Sequence, residues 1–389
     1  MHMHDRTHAL ERGVKYGHND ESVEERMRQR WRLMTGVVGA LCVFGACRSA
    51  PEVTPEQSAC ERDRALLERT RLRPFISTWE VHQEDLTLTI PTGQGAFLYD
   101  VDWDGDGIFD DLNLTGLATH TYEEPGVYRI AIRGQFPHMQ FVSEDYLAEL
   151  PERCPKKSQL VAVSHWGDVQ WTSMRGMFAC TGLRSLPNSP PDLSEVHDMS
   201  FMFMESDFDQ PLQGWDVSPV TTMRAMFRCS PFSQPLEGWD VSHVTDMSHM
   251  FRFSGFNQPL NALDVSRVTN MSHMFEHTAF DQPLGDWKTS NVTDMSAMFM
   301  HAKSFNQPLE SWDTSSVTDM SEMFVTAYEF NQPLEKWDVS AVKNMYNMFF
   351  YARSFIQPLD AWRVSDDAIT YPMFEGSAMT SVPGWYKKK

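Results

Sequence analysis

The amino-acid sequence predicts an α/β solenoid of about nine coils of 24–25 residues, preceded by a small all-β sandwich. The first observation is a Met-Phe pair that recurs at this period almost to the end of the chain. The second is a set of short β-rich runs from Phe75 onward, separated by clusters of Gly, Pro and Asp. The pairs end at Phe178, Phe203, Phe227, Phe251, Phe275, Phe299, Phe324, Phe349 and Phe374.

Each repeat unit combines a strand pattern with a helix pattern. The segment from Leu236 to Val241 fits the strand of a leucine-rich repeat, with the Trp239 side chain directed into the core. The segment from Val244 to Phe251 has apolar residues three and four apart, which predicts a short helix with one buried face. The Gln of a recurring Gln-Pro-Leu is expected to form an amide ladder between coils. These residues are Gln210, Gln234, Gln258, Gln282, Gln307, Gln332 and Gln357.

The composition fits such a repeat. The chain has 389 residues, of which 25 are Met, 25 Phe and 12 Trp, and most of these fall in the repeated columns. The excess is therefore the core of one domain and not a cofactor or membrane surface. The formal net charge of −20 argues against nucleic acid as a partner, because nucleic-acid binding needs a basic face.

The N-terminal residues 1–47 are predicted to contain an export signal. Arginines precede Leu33–Ala46, an uncharged and mostly apolar run that is too short to span a membrane but suits a signal peptide. Gly45-Ala46-Cys47 resembles the end of a bacterial lipobox, so Cys47 is the expected lipid anchor. Plain secretion, an uncleaved anchor and a segment without function are the alternatives. Translation starts at Met1 or at Met27.

Two regions separate the signal from the repeats. Residues 48–72 are polar and predict a tether that ends in a short helix, and residues 73–150 predict the sandwich. Export permits disulfide bonds, and Cys60–Cys154 is the most natural pair. Cys180 and Cys229 lie two coils apart, which is too far for a direct bond, so they are expected to be buried thiols.

An acidic turn within the sandwich has two interpretations. Oxygen-bearing side chains at alternate positions, followed by a glycine, match the start of a calcium-binding loop. The alternative is a turn whose carboxylates cap its own main-chain amides. The residues concerned are Asp102, Asp104, Asp106 and Asp110.

The segment around this turn resembles a known family. Trp103-Asp104-Gly105-Asp106-Gly107 and the later His120-Thr121-Tyr122, with Pro125-Gly126 and Tyr128, are similar to the signature of PKD-like domains. The resemblance implies a small antiparallel sandwich over residues 73–150.

The repeats also resemble a known family. The unit FNQPLxxWDVSxVTDMSxMF, over residues 158–389, closely resembles the BspA-type leucine-rich-repeat surface proteins, including the repeats of mycoplasma lipoproteins. The resemblance implies exposure at the cell surface and, in some members, adhesion to host matrix proteins or other cells. The departures are Leu263 in place of the Trp, Lys288 and Arg363 in place of the following Asp, and an irregular unit after Phe178.

Two patterns in the repeats are candidate sites. His273-Met-Phe-Glu276-His277 matches the H-x-x-E-H motif of zinc proteases, with His249 and His301 one coil away, but the motif straddles buried scaffold residues. The other is a column of outward carboxylates, which either accept local hydrogen bonds or bind cations or a basic partner. Its members are Asp216, Asp240, Asp264, Asp313 and Asp338.

Together these patterns predict an exported protein, at the cell surface or outer membrane, that binds an extracellular protein or glycan. It contacts the membrane through the lipid anchor alone, needs no cofactor apart from the calcium alternative, and is not expected to be an enzyme. A structural envelope or spacer lipoprotein is the alternative function, and a metal-dependent hydrolase ranks third. The sequence leaves the oligomeric state open.

Overall fold

The computed structural model describes residues 67–386, except residues 94, 150–153 and 155. Short antiparallel strands occupy the first part of this range, as the β-rich runs predict. One six-residue helix, α1 (Glu144–Glu149), lies between the sixth and the seventh strand. The strands are β1 (Phe75–Val81), β2 (Thr87–Ile90), β3 (Leu98–Asp102), β4 (Asp111–Leu114), β5 (Ala118–Thr121), β6 (Gly126–Gln135) and β7 (Leu160–His165).

These strands form two antiparallel sheets. Five strands pair in the order β4-β3-β6-β1-β7, and β2 pairs with β5. Strand β1 illustrates the cause, because its residues alternate between buried and half-buried positions over its whole length. The buried set includes Phe75 and Trp79, and the Trp79 indole N–H donates to Ser77 Oγ at 2.9 Å.

The sheet extends beyond the predicted sandwich boundary at residue 150. Strand β7 lies inside residues 158–389, the predicted solenoid, yet it pairs with β1 through Ile76↔His165 and Thr78↔Ala162. The amide of Val163 also donates to the carbonyl of Ser185 in the first repeat unit at 2.9 Å. Strand β7 therefore belongs to the sheet and to the repeats at once.

The predicted α/β leucine-rich-repeat solenoid is wrong. Residues 166–386 contain neither an α-helix nor an extended strand in the described structure, so the predicted strand Leu236–Val241 and the predicted helix Val244–Phe251 are both absent. These residues form turns instead, and successive units meet at one-residue parallel bridges. The bridging residues are Asp198, Thr222, Asp246, Asn270, Asp294, Asp319, Asn344 and Ile369.

The predicted helix is replaced by a series of tight turns, which we call the turn run (residues 247–254 and their counterparts). The amide of Met250 donates to the Met247 carbonyl three residues earlier at 3.2 Å. The amide of Phe251 instead donates to the Met274 carbonyl of the next unit at 3.0 Å. Donors alternate in this way along the run, which an α-helix cannot do because it satisfies its amides internally. Turns closed by hydrogen bonds over three residues bury side chains at nearly the same spacing as a helix, which explains why the sequence pattern predicted a helix here.

The alternation is accompanied by left-handed backbone at every fourth residue of the turn run. His249 and Phe253 adopt φ angles of 59° and 58°. Such angles are unfavourable for residues other than glycine, by about 1–2 kcal/mol each. Two columns recur in the units, one comprising Phe201, Ala225, His249, His273, Ala297, Glu322 and Asn347, the other Cys180, Glu205, Cys229, Phe253, His277, His301, Thr326 and Tyr351.

Two polar ladders add to the bonds between units. Thr269 donates both its amide (2.9 Å) and its hydroxyl (3.1 Å) to the carbonyl of Thr245 in the preceding unit. The predicted glutamine ladder is confirmed in part. Gln332 does not bond to another Gln, but its amide donates to the side-chain oxygen of Asn306 at 3.0 Å and to the Asn306 carbonyl at 2.9 Å.

One hydrophobic cluster runs from the sheets through the repeats. Phe75 of β1 packs edge-on against Trp171 at 5.5 Å, and Trp166 continues the contact to Trp215 at 5.8 Å. Within the repeats the Phe rings stack in a column, for example Phe251 on Phe275 at 5.8 Å. The Met, Phe and Trp excess is therefore buried core, as the sequence predicts.

Replacing each of two alanines by glycine tests the assignment of left-handed backbone. Ala297 has a φ of 51°, whereas buried Ala302 has no positive φ. Ala297→Gly should stay within about 0.5 kcal/mol of wild type, because relief of the left-handed strain offsets the lost methyl group and the extra chain entropy. Ala302→Gly has no such relief and should lower the unfolding free energy by about 1.5 kcal/mol. Urea unfolding measures both, and equal losses would contradict the assignment.

Candidate functional site

The most regular exposed surface follows the Leu of each Gln-Pro-Leu, and we call it the tryptophan edge (residues 236–240 and their counterparts). A turn places the Trp, since its amide donates to the Leu carbonyl three residues earlier, as in Trp287 to Leu284 at 3.2 Å. The same carbonyl accepts the indole N–H of the next unit, as in Trp312 to Leu284 at 2.9 Å. Buried Trp rings of neighbouring units also stack, with Trp287 and Trp312 6.2 Å apart and Trp312 and Trp337 6.3 Å apart.

The predicted carboxylate column lies on the tryptophan edge, with all five Asp side chains exposed. Each accepts the amide of the residue two positions later, for example Ser242 N to Asp240 at 3.0 Å. The Ser242 hydroxyl and amide hold the pKa of Asp240 below its usual range, and Ser266 does the same for Asp264. The local hydrogen bonds expected for these carboxylates are confirmed, while binding of a partner stays a prediction.

Further acids make the tryptophan edge more negative than this column alone. Lys288 and Arg363 stand in the column between or beside its Asp residues, and the charge of Lys288 helps to lower the pKa of Asp264. Acidic residues nevertheless outnumber bases along the edge. The added carboxylates are Glu237, Asp286, Glu310, Glu335 and Asp360.

Between Trp239 and Trp287 the repeated Trp position is occupied by Leu263. The turn there is unchanged, because the Leu263 amide donates to the Leu260 carbonyl at 3.1 Å. A pocket of about 610 Å³ lies beside Leu263 and is also lined by Trp239. The sequence pattern identifies the departure at Leu263, but the pocket follows only from the stacking of neighbouring units.

The acidic turn between β3 and β4 is folded around Asp102. This carboxylate is buried and accepts the amides of Gly105 and Gly107 at 2.8 and 2.9 Å. Burial raises its pKa, and the neighbouring carboxylates Asp104 and Asp106 raise it further, while the two amides oppose the rise. The capping interpretation is confirmed by these bonds.

Three of the four predicted calcium ligands come together. Asp102, Asp104 and Asp106 each offer an oxygen within 4.8 Å of the others, the only such group of three or more among the described residues. Asp110 is not part of it and accepts the Trp103 amide at 2.9 Å. The group could hold a calcium ion, and its oxygen ligands suit that cation.

The residues of the H-x-x-E-H motif do not converge on one point in the described structure. Glu276 is buried between Arg252 and His273, at 2.7 and 2.5 Å. His277 instead stacks on His301, with ring centres 4.0 Å apart. The glutamate is therefore engaged in an ion pair inside the scaffold.

The predicted disulfide is wrong in its partner. Cys154 is bonded to Cys180, with Cα atoms 5.8 Å apart, so neither Cys60–Cys154 nor a buried Cys180 thiol is formed. Cys180 occupies the left-handed position of the first turn run, next to the segment between α1 and β7. This proximity cannot be read from the spacing of cysteines.

The predicted anchor Cys47, the export signal and Cys60 lie outside the described residues. In the part of the chain that the structure describes, no helix has the length and apolar character needed to cross a membrane.

Comparison with known proteins gives one match. The family described as "Mycoplasma protein of unknown function, DUF285" matches residues 172–282 and again residues 276–385. The two matches together cover the repeats and more than half of the chain. No curated protein and no solved structure matches the chain.

Removal of the central cap should destabilise the acidic turn. Asp102→Ala leaves two amides without their acceptor in a largely buried place, and we expect a loss of about 2 kcal/mol in unfolding free energy. Asp104→Ala is the matched control, because that exposed carboxylate caps one amide, and it should lose about 0.5 kcal/mol. Equal losses would contradict the capping role of Asp102.

Thermal unfolding with and without calcium distinguishes capping from calcium binding. Calcium at about 1 mM, typical of weak extracellular sites, should leave the melting midpoint unchanged if the carboxylates only cap. We expect this result. A rise of several degrees that Asp104→Asn abolishes would establish the calcium interpretation instead.

Buried His249 should make the repeats sensitive to acid. Burial, together with the charges of His273 and nearby arginines, lowers its pKa to about 2, and the His249 and His273 rings stack at 4.5 Å. The unfolded chain takes up a proton near pH 6.5 and the folded chain does not, so stability falls below that pH. Between pH 7 and pH 5, His249→Ala should lose about 2 kcal/mol less than wild type. Exposed His243→Ala is the control, and an unchanged pH profile in His249→Ala would contradict the prediction.

Proposed function

We propose that this chain, which belongs to the family described as "Mycoplasma protein of unknown function, DUF285", is an exported surface protein that binds an extracellular protein or glycan. The observation that carries the proposal is the exposed acidic tryptophan edge. Buried repeat positions are filled by Met, Phe and Trp, which leaves the exposed edge residues free to differ between units. Such repeated surfaces are well suited to bind a partner.

The charge of the tryptophan edge favours a basic partner surface. Its carboxylates are exposed in successive units, and Ser242 keeps the Asp240 carboxylate ionised by lowering its pKa. A row of like charges attracts a positively charged partner and speeds its association. This supports a protein with a basic face more strongly than an acidic glycan.

The N-terminal segment completes the proposal. Export by residues 1–47 and lipid attachment at Cys47 would hold the chain at the cell surface. The sandwich strands form a PKD-like domain in this proposal. The closeness of the two signature segments supports that identification, because the Tyr122 hydroxyl donates to the Trp103 carbonyl at 2.8 Å. The proposal is one of binding and not of catalysis, and the ion pair of Glu276 with Arg252 supports it.

A spacer that binds no ligand is the alternative, and the bonds between units favour it. In the threonine ladder and the Gln-to-Asn bonds, the repeated polar side chains bond neighbouring units to each other and are not left for a ligand. In the spacer function the acidic edge serves solubility alone.

Binding to an array of extracellular matrix proteins and neutral glycans tests the proposal. The purified full chain should bind at least one of them with a dissociation constant below about 10 μM. Replacing Asp216, Asp313 and Asp338 by Lys should weaken that binding at least about tenfold, because the attraction becomes repulsion.

The matched control is Glu329→Lys, a charge reversal at an exposed residue away from the tryptophan edge. It should change the affinity by less than about twofold. Absence of binding to every array member, together with a disturbed envelope on gene deletion, would support the spacer instead.

A further inference from the structure

The pocket beside Leu263 lies where the neighbouring units have a Trp. In the units that follow the pocket, Trp312 stacks on Trp287 at 6.2 Å and Trp337 stacks on Trp312 at 6.3 Å. Trp239 lines the pocket and has Leu263 in place of the following Trp. The pocket is therefore bounded by a surface that elsewhere in the column receives an indole ring.

The pocket also contains a hydrogen-bond acceptor. From Leu260 onward the Leu carbonyl of each unit accepts a main-chain amide and the indole N–H of the next unit, as Leu284 does from Trp287 and Trp312. The Leu236 carbonyl accepts the Trp239 amide at 3.3 Å, but Leu263 has no N–H in its side chain to supply the second bond. An indole in the pocket could supply it.

The rim of the pocket is acidic. Glu237, Asp240 and Asp286 line it together with apolar residues, and no Lys or Arg is among the lining residues. Asn261 holds Asp286 in place, because the Asp286 amide donates to its side-chain oxygen at 3.0 Å and its amide group donates back. A ligand that enters the pocket therefore meets negative charge on its way in.

We infer that this pocket is a binding site for a tryptophan side chain carried by a basic segment of a partner protein. The indole stacks on Trp239 and donates to the Leu236 carbonyl, while Lys or Arg residues beside it pair with the acidic rim. Aromatic side chains that enter such pockets supply much of the affinity of protein interfaces. The inference rests on the proposed binding function and names the partner chemistry at one place on the tryptophan edge.

A dye-labelled peptide, Lys-Lys-Trp-Lys-Lys, tests the inference by fluorescence anisotropy with the full chain. It should bind saturably, and the peptide with Ala in place of Trp should bind at least about tenfold more weakly. Leu263→Trp should place an indole against Trp239 and weaken binding by a similar factor, while its melting temperature equals or exceeds that of wild type. Leu263→Ile, which keeps the pocket, is the matched control and should retain the affinity within about twofold.

The rim provides a second test that does not depend on the folding of Leu263→Trp. The double variant Glu237→Gln, Asp286→Asn should weaken the peptide at least about tenfold and reduce its dependence on salt. Equal affinity for the Trp and Ala peptides, or unchanged affinity in both variants, would overturn the inference. If the Asp→Lys variant of the tryptophan edge still loses array binding in that case, the proposed function stands and only the pocket fails.

Two other occupants give distinct results. The sequence contains Arg30-Trp31-Arg32, an indole between cations, outside the described residues. A peptide affinity that rises on Trp31→Ala would assign the pocket to the chain's own segment and overturn the inference. Self-association that Leu263→Trp abolishes would assign it to a second copy and overturn it as well.

Discussion

The repeats depend on the alternation of main-chain hydrogen bonds in the turn run. One amide closes a turn within its own unit, as Met250 does to Met247, and the next amide binds the following unit, as Phe251 does to Met274. This fixes the register between units, because a shift by one residue would direct every donor to the wrong carbonyl. The same arrangement places residues such as His249 in the left-handed backbone region. The conformational strain must be offset by hydrogen bonds and burial in successive units.

The fixed register produces the functional surface. Because each unit repeats the position of the last, side chains of one type form columns, and a single substitution becomes a local change of shape. Leu263 is the clearest case, since its turn is normal while a pocket lies beside its side chain. Acidic residues at exposed positions of neighbouring units then surround that pocket, although they are far apart in the sequence.

The sequence was sufficient to predict the period, the buried Met and Phe columns, the antiparallel strands from Phe75 and the exposure of the Asp column. It was misleading about the helix. Apolar residues three and four apart are compatible with a helix and equally with a series of three-residue turns. The two structures differ in the carbonyl that accepts an amide such as that of Phe251. The Cys154–Cys180 bond and the pocket at Leu263 depend on which units lie side by side, which spacing in one chain does not specify.

The most direct test of this account is to identify the carbonyl that accepts the hydrogen bond of the Phe251 amide. In a deuterated, isotope-labelled sample, NMR scalar coupling across the hydrogen bond identifies the carbonyl that accepts the Phe251 amide. The account predicts coupling to Met274, 23 residues later in the sequence. Coupling to the carbonyl of Met247, four residues earlier, would mean that an α-helix forms there and would contradict it.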